Sequence, residues 1–150
     1  MLDFSYPEYY TDLVRRTPWS VSLPGEWEGF FQESGVAPLP FGEHDARQRR
    51  IVRTSGLMAF VTPLPALRRT SSVVGIYTRD FSRDACGLLT SMELYPEEIV
   101  RVFLSTLCLQ LRVVRCTRHN DQCFEVGAAI IHRLETDRAA FSRDGKMITA

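Results

Sequence analysis

The chain has 150 residues, 45% hydrophobic and 24% charged, which is enough for one domain with an ordinary core. Its 18 basic and 18 acidic residues cancel, which excludes the net positive balance of a protein that tracks a nucleic-acid backbone, so any bound anion is expected to be small and locally held. No apolar run of about twenty residues could span a bilayer, and Met1 to Ser5 carry neither a basic nor an apolar leader region, so a cytoplasmic location is expected.

Residues 1–45 are read as an N-terminal extension, punctuated by Pro7, Pro18, Pro24, Pro38 and Pro40 and rich in aromatics. Within it, residues 7–16 are expected as a short helix, with Ser5 or Tyr6 ahead of a first-turn proline. Trp27, Phe30 and Phe31 at i, i+3, i+4 favour a helical turn. Residues 36–42 cannot be a regular element, because prolines two apart remove backbone donors. The aromatics of this extension have two readings, a lid over one end of the core or a docking surface for a protein partner.

Beyond it the pattern changes to strands. Apolar runs at 52–61, 73–79, 86–91, 99–104, 107–117 and 123–132 recur about every ten residues with no intervening helix. The pattern predicts a mostly β protein built on a closed six-stranded antiparallel barrel, residues 46–135, which removes exposed edges in a domain this small. The tail, 136–150, is expected to begin with a short helix capped by Thr136 or Asp137. Cys86, Cys108, Cys116 and Cys123 lack a C-x-x-C pair and read as packed thiols, with no metal site.

Two stretches carry chemistry. Arg47, Arg49, Arg50 and Arg53 lead into the first strand, and Lys146 is the only lysine, so the cationic chemistry belongs to planar, forked guanidinium groups. In an extended chain Arg49 and Arg53 lie roughly 13 Å apart, and such a pair can grip phosphates while stacking on purine faces. Asp80-Phe81-Ser82-Arg83-Asp84 forms a polar turn between two strands, where Asp80 and Ser82 can hold the turn or accept from the N–H edge of a base. Taken singly, the first stretch reads as a solvated strip and the second as turn formers.

In combination and order, the two stretches resemble the PilZ domain family of bacterial cyclic di-GMP receptors. Arg49 to Arg53 matches its R-x-x-x-R segment, and Asp80 to Ala85 matches its D-x-S-x-x-G turn with alanine in place of the last glycine. Gly87 fits a glycine two positions on, and Glu125-Val126-Gly127 is similar to the last-strand pattern. The resemblance covers residues 46–132. It implies the six-stranded barrel and a non-catalytic receptor for cyclic di-GMP. In that receptor Arg49 and Arg53 hold phosphates and stack on guanine, Arg50 adds a third cation, and Asp80 and Ser82 reach a guanine edge. If the family's glycine needs positive φ or close approach, the Cβ of Ala85 costs about 1 kcal/mol.

Two functions are thus expected. The first is a cyclic di-GMP effector whose ligand repositions the extension against a protein partner; the second is an interaction module on the same barrel that does not bind the nucleotide. Enzymatic chemistry is not expected: His44, His119 and His132 have no Ser or Cys partner at motif spacing, and no phosphate loop or G-x-G-x-x-G occurs.

Overall fold

Inward-facing aliphatic residues alternate with outward-facing ones through the second half of the chain, and this period of two writes a curved antiparallel sheet. The computed structural model describes residues 5–36, 50–62, 64–143 and 145–150. Helix α1 (Tyr6–Arg16) comes first, followed by short strands β1 (Gly35–Val36) and β2 (Arg50–Ile51). Then come β3 (Ser55–Thr62), β4 (Val74–Phe81), β5 (Ala85–Thr90), β6 (Ile99–Phe103), β7 (Cys108–Asn120) and β8 (Cys123–Leu134). A small hairpin of β9 (Ser142–Arg143) and β10 (Lys146–Met147) follows near the C-terminus.

Strands β4, β3, β6, β7, β8 and β5 pair in that order, and β5 closes back on β4, giving the expected six-stranded antiparallel barrel. Met58, Phe60, Ile76, Leu88, Val100, Val102, Leu111 and Val126 fill it. Each such side chain contributes roughly 1.5–3 kcal/mol of burial. The hairpin turn between β7 and β8 is short. Arg118 and Asn120 still have strand partners, so only Asp121 and Gln122 turn. All four thiols are unbridged. No described helix is long and apolar enough to cross a membrane.

Helix α1 begins where expected, with Pro7 in the first turn and the Glu8 carboxylate accepting from the Ser5 amide at 3.3 Å. It stops at Thr17, whose hydroxyl donates to the Leu13 carbonyl, because Pro18 disfavours a helical residue before it. Tyr6, Tyr10 and Leu13 form its buried side, which packs with Phe141 and Ile148 over Leu57, Ala59, Phe103 and Cys108. The Tyr6 hydroxyl meets the Leu104 carbonyl at 2.6 Å, and burial pushes this phenol well above its ordinary pKa. The C-terminal helix is a single 3₁₀ turn, Arg138–Phe141, capped by Asp137, which accepts from the Ala139 amide.

Residues 17–34 run across the outside of the barrel. The Trp19 indole donates to the Ile76 carbonyl at 3.0 Å, and its ring lies flat on Gly75, where a Cβ would come within 2.5 Å. The Ser22 amide donates to Gln122, and Asn120 donates to the Ser22 carbonyl. Phe30, Leu89 and Cys123 then make a third apolar cluster with Val21, Leu23, Trp27 and Tyr77. The i, i+3, i+4 aromatics yield only a 3₁₀ turn, Phe30–Gln32, because Gly29 immediately before it takes φ 76°, outside the helical region.

Candidate functional site

The arginine segment is zipped onto the strand that leads into the polar turn. Arg50 pairs with Phe81 and Ile51 with Asp80, and the Val52 amide donates to the Arg79 carbonyl at 3.1 Å. The Thr78 hydroxyl, buried beneath the crossing, donates to Val52 and accepts from the Thr54 amide. Segments separated by some thirty residues of sequence therefore share one stretch of sheet.

Register does the rest. Between β4 and β5, Thr78 faces Leu88 and Asp80 faces Gly87, so Arg79 is the extra residue of a bulge. The bulge lets Arg79 and its neighbour Asp80 meet, Nε to Oδ2 at 3.0 Å, while Arg79 Nη1 reaches Glu125 Oε2 at 2.5 Å. The guanidinium lies across Gly87: a Cβ there would fall 2.7 Å from Asp80 Oδ1 and 2.9 Å from Arg79 Nε. Burial lowers the pKa of Arg79, but Asp80 and Glu125 outweigh it and raise the group above its usual value. Burial raises Glu125, yet Arg79 and then His119 hold that carboxyl below its ordinary range.

Arg53 lies next to this cluster. Its guanidinium stacks 4.1 Å above the Phe30 ring, and Nη2 is 3.4 Å from Glu33 Oε2. Burial lowers the pKa of Arg53, with Glu33 opposing. Arg53, Arg79, Glu125, Glu33, Phe30 and Trp27 line a hollow of about 260 Å³ on the outer face of the barrel. The rings of His119 and Trp27 pack edge to face, with centroids 4.7 Å apart, and His119 Nε2 is 3.4 Å from Glu125.

The residues singled out from sequence divide between two places. Arg53, Asp80 and Gly87 belong to the cluster just described. Arg50 and Ser82, with Arg83 and Arg133, border a wider hollow of about 680 Å³ floored by Phe81, Leu107 and Ile130 at the end of the barrel. Ala85 starts β5 opposite Ala129, and its carbonyl accepts from the Ser82 amide at 2.8 Å, closing the hairpin. Among the described non-glycine residues only Glu97 has positive φ, so the positive-φ condition for a cost at Ala85 is not met. Arg49 lies outside the described residues.

Arg79, Glu125, Glu33 and Phe30 were not singled out as site residues by sequence. Arg79 adjoins Asp80 at the start of the turn motif and Glu125 is the first residue of the last-strand pattern, which were the only signals for them. Nothing local marks Glu33. No family model, curated protein or solved structure matches the chain.

Proposed function

We propose that the protein is a PilZ-type receptor module for cyclic di-GMP, without catalysis, working in the cytoplasm and reporting to a protein partner through its N-terminal segment. Arg53, with Arg50 and Arg49, meets phosphates and guanine faces; Asp80 and Ser82 meet a guanine edge; Gly87 leaves room beside them, and Ala85 closes the turn. The observation that carries this reading is the pairing of Arg50 and Ile51 with Phe81 and Asp80, which brings the arginine segment against the aspartyl turn. Planar, forked guanidinium groups suit a compact, doubly anionic ligand with stacking bases.

Isothermal titration of cyclic di-GMP into wild type and Arg53→Ala tests it. Binding by wild type that is lost or weakened at least tenfold in the variant supports the receptor; no binding in wild type removes it. A second reading has its own observation. Both described guanidinium groups of the smaller hollow already face carboxylates of the same chain, Glu33 for Arg53 and Asp80 with Glu125 for Arg79. A barrel so compensated serves as an interaction module that needs no nucleotide, and absence of binding in both proteins favours it.

A further inference from the structure

The Arg53 guanidinium has a flat aromatic ring beneath it and a carboxylate at its edge, both supplied by the N-terminal segment. We infer that residues 27–33 are an internal ligand of the candidate site, Phe30 standing where a base would stack and Glu33 where an anion would pair, so that an incoming nucleotide must displace them. This rests on the receptor reading and adds its regulation.

The segment is built for displacement. It is fixed on one side where Ser22 bonds Gln122, and on the other where Gly35 and Val36 pair with Ile51 and Arg50. Between these anchors its backbone bonds are local: Trp27 to Pro24, Phe30 to Trp27, Gln32 to Gly29. Its described contacts with the barrel are side-chain ones, Trp27 on His119, Phe30 under Arg53 and packed with Leu89 and Cys123, Phe31 on Tyr77 and Glu33 on Arg53. Gly29 at φ 76° turns the chain inside it. Swinging it away therefore breaks no rung of the barrel ladder.

Charge points the same way. The hollow sets two guanidinium groups, Arg53 and Arg79, against four carboxylates, of which Glu28 and Glu33 ride on this segment and Glu26 immediately precedes it. With it in place an anion meets a negative rim; with it and the adjoining Glu26 swung away, Glu125 and the Asp80 paired with Arg79 remain against the two guanidinium groups. Glu33 is 55% exposed at its side chain, so its pairing with Arg53 is weak and screened by salt, as a displaceable contact must be. The apparent affinity is then reduced by the fraction of molecules in which the segment is closed.

Glu33→Gln tests this without disturbing the core. Titration of cyclic di-GMP is expected to show about two- to fivefold tighter binding than wild type. Hydrogen exchange of the full chain is read in parallel: amides of residues 27–33 should exchange faster when nucleotide is added. If wild type binds but Glu33→Gln binds no tighter, the inference is overturned and the receptor stands. The same holds if these amides slow or do not change with ligand, because a ligand settling on top would protect them. If neither protein binds at millimolar nucleotide, the receptor reading fails and the internal ligand with it.

Discussion

Arg79 shows how one residue's environment is composed from three strands. Its backbone position comes from the β4 bulge, its charge partners from β4 and β8, and its resting surface from the missing side chain of Gly87. Gly87→Ala should push the guanidinium out of plane, costing about 1–3 kcal/mol in urea unfolding, and should also weaken nucleotide binding by disturbing Asp80. Ala85→Gly has the opposite logic. Because Ala85 sits in β5 at ordinary φ, the substitution should leave nucleotide affinity unchanged and lower stability by about 0.5–1 kcal/mol through added unfolded-state freedom. Asp80 and Arg53 were legible in sequence because motif spacing named them. Arg79 was not, since only a register shift turns it toward Asp80, and Glu33 was not, since its partner lies twenty residues on across a fold.

At the scale of elements, the loop between β3 and β4 is tied to the barrel by a buried ion pair. Arg69 meets Glu98 through Nε at 3.0 Å and Nη2 at 2.5 Å, and Glu98 also accepts from the Tyr95 amide. The Glu98 side chain is fully buried, and the Arg69 guanidinium lies over the Phe60 ring. Glu98→Ala leaves that cation without its carboxylate and should cost about 3–5 kcal/mol in denaturant unfolding. Replacing both by apolar residues of similar volume should cost much less, and an equal loss in the double variant would contradict the desolvation account. Periodicity exposed α1 and the strands of the barrel, because amphipathic repetition is local. It overstated the aromatic turn at 27–31, where a left-handed Gly29 overrides the spacing of three rings.

For the whole molecule, three layers share the work: the barrel core, the cap of α1 with the C-terminal turn, and the segment across the outer face. Acid should act on the outer face of the barrel, where Glu125 pairs with Arg79 and His119. Glu125 is held below its ordinary value of 4.5, so its stabilisation is complete above about that pH and is lost as the pH falls through the lower folded value. Thermal unfolding followed from pH 7 to pH 3 should show stability falling below about pH 4.5, and less steeply in Glu125→Gln. An identical slope in the variant would move the acid sensitivity to other carboxylates.

The sequence by itself determined the barrel, the helix at its start and the two chemical stretches, because alternation, proline and motif spacing are properties of neighbouring residues. Only the tertiary structure decided what those stretches meet. It set Arg53 and Asp80 on one face and Arg50 with Ser82 at the rim of another hollow, and it laid Phe30 and Glu33 on Arg53. Side-chain direction in a sheet flips with each residue, so a single bulge or pairing register, fixed by closure of the whole barrel, decides which groups share a site.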